Sequence, residues 1–151
     1  MKIVASIIVI RNGKSKMESR NSFNPMRTFQ DLHVYQNLFK AMIIVHTKII
    51  CRLPKEEQFD LVSQMRRSSK AATALLAEGF AKRYHRRHWQ KYLHDTMGES
   101  NEMIHHLSVV LSIYNSYVNQ VLCKETIDLY DKSCRQLTKL ANSWKDFHEE
   151  K

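Results

Sequence analysis

Residues 77–92, AEGFAKRYHRRHWQKY, contain side chains of several chemical kinds that could contact a ligand. Five are Lys or Arg, two are His, and no Asp or Glu follows Glu78 in the stretch. Basic side chains on a surface neutralise phosphates, aromatic rings can stack on bases, and imidazoles can bind metals. The stretch is therefore compatible with a nucleic-acid contact, a metal site, or a solvated joint between two helices.

The basic side chains of a longer segment are the candidate nucleic-acid-binding residues: Arg66, Arg67, Lys70, Lys82, Arg83, Arg86, Arg87 and Lys91. Tyr84 or Trp89 could stack on bases, although Trp89 lies on an apolar stripe and is expected to pack inside the fold. Arg86 and Arg87 oppose the dipole of the helix that they begin, which favours a functional reason for keeping them there. Contacts of this kind go mainly to phosphates and carry little base specificity.

The net charge of +9 is unevenly distributed along the chain. Residues 61–94 hold eight Lys or Arg and one acid, a net charge of +7, whereas residues 95–151 hold six basic and nine acidic residues, a net charge of −3. Residues 1–27 contribute +5 and residues 28–60 are neutral. This asymmetry indicates a polyanionic partner. The alternative is that the basic residues only keep the helices soluble.

Arg67 also has a structural interpretation. Arginine pairs well with carboxylates, and Glu78, Glu99 or Glu102 could supply one within or between subunits. We expect Arg67 and Glu78 to be the structural pair.

Too few metal ligands occur together for a metal site. His85 and His88 are three residues apart, and Glu102 and His105 form a single Glu-x-x-His motif. Di-iron bundles need two such motifs and two further glutamates. We therefore expect no metal, with His105 and His106 at the surface or at the rim of the bundle.

Catalytic motifs are not evident either. The sequence has no Gly-x-Ser-x-Gly elbow, Walker loop or dinucleotide fingerprint, and its three glycines leave little for a phosphate-binding loop. A non-enzymatic protein without a cofactor is predicted. The three cysteines, Cys51, Cys123 and Cys134, include no CxxC pair, which favours reduced thiols and a cytoplasmic location over a disulfide framework.

The first residues are predicted to lie outside the fold. No apolar run approaches the roughly 20 residues that span a bilayer. After MKIVASIIVI the chain is polar up to residue 27, so residues 1–27 are expected to form a tail, and Met17 or Met26 is an alternative start.

Apolar residues recur at steps of three and four, which predicts four amphipathic helices. The stripes run over residues 32–49, 59–76, 89–117 and 127–147. His46 on the first stripe is expected to be satisfied in the core or at an interface, and Gly79 is expected to end the second helix. Short joints between long helices predict an all-α, up-down-up-down antiparallel four-helix bundle over residues 28–151.

Several spaced motifs are similar to those of one known family. They are FQDLHVYQ at 29–36, LPKEEQFDLVSQMRRSS at 53–69, AEGF at 77–80, Tyr92–Leu93, and GES at 98–100 followed by Glu102. Their order over about residues 28–120 resembles the four-helix-bundle proteins encoded in 23S ribosomal RNA intervening sequences. That family also includes accessory proteins of diversity-generating retroelements. Thr73 and Leu75 stand where the family usually has Pro and Asn, so the second helix is expected to run straighter.

The resemblance implies a bacterial protein that assembles as a ring-like homopentamer and has no catalytic centre. The retroelement members resemble basic adaptors that bind RNA and a reverse transcriptase. The implied partners are therefore RNA or other nucleic acid, further copies of the chain, and a reverse transcriptase, but no membrane. The alternative is a scaffold that docks a reverse transcriptase or an acidic protein without binding nucleic acid directly.

Overall fold

The computed structural model of the protein describes the backbone of residues 27–149 and the side chains of residues 27–143. The predicted tail at residues 1–27 lies outside the described residues apart from Arg27. The alternative starts, Met17 and Met26, also lie outside them.

Four long α-helices make up most of the described chain. They are α1 (His33–Ile44), α2 (Leu61–Ala81), α3 (Arg86–Ile113) and α4 (Gln120–Glu149). Shorter helical turns precede α1 and join it to α2: 3₁₀ turns at Phe29–Asp31, Ile50–Arg52 and Lys55–Phe59, and a π-helical segment at Val45–Ile49. Residues 27–149 contain no β-strand. The prediction of an all-α protein with four helices is confirmed.

Local sequence explains where the helices begin. Glu57 and Asp60 precede α2, and the Glu57 carboxylate accepts a hydrogen bond from the Leu61 backbone N–H at 3.4 Å. The Asn119 side chain accepts a hydrogen bond from the Leu122 N–H at 3.0 Å, which caps the start of α4. Such acceptors satisfy N–H groups that have no partner within the first turn of a helix.

The helices enclose one apolar core. α1 packs against α2 and α4, and α3 packs against the same two helices. Leu38, Met65, Trp89 and Tyr130, one from each helix, are fully buried. The prediction that Trp89 packs inside the fold is confirmed, and the four apolar faces account for a four-helix bundle.

Gly79 does not end α2, because the helix continues to Ala81. A Cβ atom added at Gly79 would lie 2.4 Å from Tyr92 Cβ and 3.1 Å from Trp89 Cζ3. The glycine therefore allows α2 and α3 to approach closely. The chain turns only after it, where Lys82 N–H bonds the Gly79 carbonyl and His85 N–H bonds the Lys82 carbonyl, each at 2.9 Å.

Two other predicted environments were wrong. Phe59 does not continue the apolar stripe of α2, since it ends a 3₁₀ turn and its side chain is 94% exposed. His106 was expected at the surface or rim but is only 5% exposed, whereas His105 is exposed as predicted. His106 lies four residues beyond Glu102 on α3, and its Nε2 is 3.2 Å from that carboxylate.

Candidate nucleic-acid interface

Two groups of basic residues result from the positions of α2 and α3. Arg66, Arg67 and Lys70 lie on the first half of α2, which we call the α2 group. The joint group occupies the turn after α2 and the first turns of α3: Lys82, Arg83, Arg86, Arg87 and Lys91. Twelve residues separate Lys70 from Lys82, about 18 Å along a helix. The two groups are therefore distinct patches.

Arg67 differs from its neighbours because it joins α2 to α3. Its Nη1 donates to Glu99 at 3.2 Å, and its Nη2 donates to both Glu102 oxygens at 2.8 and 2.9 Å. Burial tends to raise the pKa of the Glu102 carboxyl, but hydrogen bonds from Ser68 and Arg67 outweigh it, so that pKa lies below its ordinary value. The pairing of Arg67 with Glu78 was a wrong prediction, because the carboxylates that face Arg67 come from α3.

Glu78 instead pairs with the joint group. Its carboxylate accepts a hydrogen bond from Lys82 Nζ at 2.7 Å and another from the Tyr92 hydroxyl. Hydrogen bonds to Glu78 and Tyr92 raise the pKa of the Lys82 ammonium. Lys91 is similarly paired, with its Nζ 2.6 Å from Asp95. Two of the five joint cations are thus compensated by neighbouring carboxylates.

The arginines of the joint have different surroundings. The Arg83 guanidinium lies 4.1 Å from the ring centroid of Phe80 and 4.4 Å from that of Tyr84, and it donates to the Phe80 carbonyl at 2.9 Å. Arg86 is half-buried. The Arg87 side chain is exposed and makes no hydrogen bond or ion pair within the described part of the chain.

Arg66 and Lys70 form the least compensated pair of cations. They are four residues apart and share an exposed face of α2, and neither side chain has a hydrogen bond or ion pair with any described residue. Together, residues 33–53 and 61–77 contain six Lys or Arg and no acid. These two segments therefore carry positive charge that no carboxylate within them offsets.

A groove of about 530 Å³ opens beside Arg66 and Lys70. Its lining consists of Gln58, Phe59, Ser63, Arg66, Arg67 and Lys70. Sequence reasoning found the cations but not the aromatic ring, because Phe59 was assigned to the buried stripe. Asp60 could have corrected this, since an Asp before an apolar helical run marks a helix start and leaves the preceding residue outside the helix.

His46 reports the positive potential of the same region. Its Nε2 is 3.0 Å from the hydroxyl of Ser69 in α2, so this histidine of the Val45–Ile49 segment is hydrogen-bonded to a neighbouring helix, as expected. Burial lowers the pKa of His46, and the nearby charges of Lys70 and Arg66 lower it further. The positive charges of Arg66 and Lys70 therefore disfavour protonation of an imidazole that is hydrogen-bonded to α2.

The described residues contain no group of three or more His, Cys, Asp or Glu side chains placed to hold a metal ion. His85 and His88 have ring centroids 5.8 Å apart. Glu102 contacts His106 rather than the His105 of the Glu-x-x-His motif. Cys51, Cys123 and Cys134 are free, and burial raises the pKa of the Cys123 thiol to about 11. None of the described helices has the length and apolar character needed to cross a membrane.

Comparison with protein families gives a match that covers most of the bundle. The sequence model of the 23S rRNA-intervening sequence proteins matches residues 30–140. The chain belongs to this family. In this 23S rRNA-intervening sequence protein, the match includes all of α1, α2 and α3 and most of α4, and therefore both basic groups. A comparison with individual curated proteins finds no match.

Proposed function

We propose that this 23S rRNA-intervening sequence protein is a non-enzymatic, cytoplasmic adaptor that binds RNA through the α2 and joint groups. The observation that carries the proposal is the charge distribution. Residues 61–94 hold eight Lys or Arg against one acid, and the α2 pair Arg66 and Lys70 has no carboxylate partner among the described residues. Phosphate neutralisation by such a surface supplies affinity for any RNA sequence.

The two groups contribute differently to this binding. Lys82 and Lys91 already pair with carboxylates, so RNA would compete with Glu78 and Asp95 for them. Arg66, Lys70 and Arg87 need no such exchange, because no described residue pairs with them. We therefore assign most of the electrostatic affinity to these three side chains.

We further infer an up-down-up-down order of the helices. Met42 of α1 contacts Thr73, and His46 in the segment that continues α1 contacts Ser69, so these contacts run in opposite directions along the two parts of the chain. Contacts between α3 and α4 follow the same rule. Gln90 bonds Ala141, Met97 contacts Thr138, and Cys134 contacts Asn101. Both patterns support antiparallel neighbours.

Self-association into a ring of identical subunits, with a pentamer as the expected number, is part of the proposal. Exposed apolar side chains support it, since Phe39 and Ile43 share a face of α1 and Tyr117 and Val121 lie near the start of α4. Two different apolar patches are what a head-to-tail contact between subunits requires. A ring would repeat the basic groups and increase the avidity for RNA.

A protein-docking scaffold is the second candidate function. Arg83 and the exposed Tyr84 stack on each other at the joint, and Arg and Tyr are the residue types that protein interfaces favour. A reverse transcriptase or an acidic protein would be the partner on this interpretation, with no direct contact to nucleic acid.

A gel-shift or filter-binding assay with RNA at several salt concentrations tests the proposal. We expect the logarithm of the binding constant to fall linearly with the logarithm of salt. The variant R66E/K70E/R86E/R87E should lose binding while circular dichroism shows unchanged helicity. If the native protein binds no RNA at low salt but retains a defined protein partner in a pull-down, the scaffold function replaces the adaptor.

A further inference from the structure

Phe59 is the most exposed large apolar side chain among the described residues. It ends the 3₁₀ turn Lys55–Phe59 just before α2, and 94% of its surface is accessible. At that exposure, no other described side chain covers either face of its ring. An isolated exposed phenylalanine costs hydration free energy unless a ligand or partner covers it.

The groove that begins at Phe59 continues along the uncompensated face of α2. Ser63, Arg66 and Lys70 follow at helical spacing and line the same groove of about 530 Å³. Arg67 also lines it but is paired with Glu99 and Glu102. The groove therefore presents an accessible aromatic ring beside two cations that no described carboxylate pairs with.

No described carboxylate lines the groove, and Glu57 and Asp60, which precede α2, have partners that do not line it. Glu57 accepts hydrogen bonds from the Tyr114 hydroxyl and the Leu61 N–H. Asp60 accepts one from the Gln64 side chain at 2.9 Å. An occupant of this groove must combine a flat apolar face with negative charge.

We propose that the Phe59 groove binds single-stranded RNA, with one base stacked on the Phe59 ring and an adjoining phosphate contacted by Arg66 and Lys70. This inference rests on the proposed function and narrows it. Base-on-aromatic stacking beside a basic groove is how proteins bind single strands with little sequence preference. Bases in a duplex are already stacked on each other, so a duplex reaches the cations but not the ring.

Fluorescence anisotropy with labelled oligouridylate and with a blunt RNA duplex of the same length tests the proposal. The full chain and its Phe59→Ala variant are compared at one salt concentration. We expect Phe59→Ala to weaken oligouridylate binding about tenfold or more and to leave duplex binding unchanged. Phe59→Trp should bind oligouridylate at least as well as the native protein, because indole offers a larger stacking surface.

Tyr84→Ala is the comparison variant, since Tyr84 is another exposed aromatic residue that could stack on a base but lies in the joint. It should weaken oligouridylate binding less than Phe59→Ala does, and a larger loss in Tyr84→Ala would place the stacked base at the joint and refute the Phe59 site. Arg66→Ala combined with Lys70→Ala should weaken the binding of both RNAs. The same double variant should flatten the salt dependence by about one unit for each phosphate that the protein no longer neutralises.

The possible results separate this inference from the proposed function. If Phe59→Ala binds oligouridylate like the native protein while R66E/K70E/R86E/R87E binds no RNA, the adaptor function stands and the stacking site is refuted. If the native protein binds neither RNA, both proposals fail. If Phe59→Ala lowers the mass measured by light scattering, Phe59 is a contact between subunits and the groove is not an RNA site.

Discussion

Gly79 and Gly98 form a natural pair for measuring how closely α2 and α3 approach. Both lie inside α-helices, α2 and α3 respectively. Replacing a glycine in a helix interior by alanine stabilises the helix by about 1 kcal/mol through helix propensity. The two substitutions would therefore have the same effect on stability if only local propensity mattered.

The surroundings of the two glycines predict opposite signs. A Cβ at Gly98 meets no atom within 4 Å, so Gly98→Ala should raise the free energy of unfolding by about 1 kcal/mol. A Cβ at Gly79 would lie 2.4 Å from Tyr92 Cβ, an atom fixed to the α3 backbone that cannot rotate away. Overpacking of this kind costs about 1–3 kcal/mol. Since three atoms lie within 3.1 Å of that Cβ, we take the upper end and expect Gly79→Ala to destabilise by about 2 kcal/mol.

Urea unfolding followed by circular dichroism measures both variants at equal protein concentration. The two urea midpoints should move in opposite directions from the native value. The free energies of unfolding of the two variants should differ by about 3 kcal/mol. Two equal and stabilising shifts would refute the close contact at Gly79. Two equal and destabilising shifts would show that glycine at both positions serves another purpose.

Other substitutions and reagents test the remaining contacts. Arg67→Ala should cost about 1 kcal/mol in urea unfolding, and less in high salt, because the arginine is largely exposed. Trp89→Ala should cost about 3–5 kcal/mol by the same measurement, since Trp89 is fully buried. Burial in the folded protein lowers the pKa of His46 below its ordinary value of 6.5, so the unfolded chain binds a proton more readily than the folded protein. Unfolding free energy should therefore fall more steeply between pH 7 and pH 5 in the native protein than in His46→Gln. A thiol reagent at pH 8 should modify the exposed Cys51 well before the buried Cys123, whose pKa is about 11, as mass spectrometry of digested peptides would show.

Sequence periodicity predicted the helices because most of each apolar stripe lies within a single helix. Trp89 and His46 were correctly placed for this reason, since both lie on such a stripe and both contact a neighbouring helix or the core. Local rules were sufficient wherever the environment of a residue depends on its own helix.

Contacts between elements were the part that periodicity did not determine. The partner of Arg67 depends on which turn of α3 faces it, and Glu78 was favoured although Glu99 and Glu102 are the residues opposite. Gly79 resembled a helix end because glycine is common there, whereas its close neighbour Tyr92 belongs to the next helix. These relations depend on how two helices pack, which the sequence of one helix does not specify.

The four-residue joint between α2 and α3 also has a consequence for the order of folding. The Glu78 and Tyr92 side chains that meet across this joint are 14 residues apart in the chain, whereas Asn37 of α1 and Gln136 of α4 are 99 residues apart. Closing a short loop costs less chain entropy, so the α2–α3 hairpin should form first and α1 should dock on α4 last. During synthesis, the side of α1 that packs on α4 stays uncovered until α4 has left the ribosome. A pause at that point would leave apolar surface open to chaperones or to other copies of the chain.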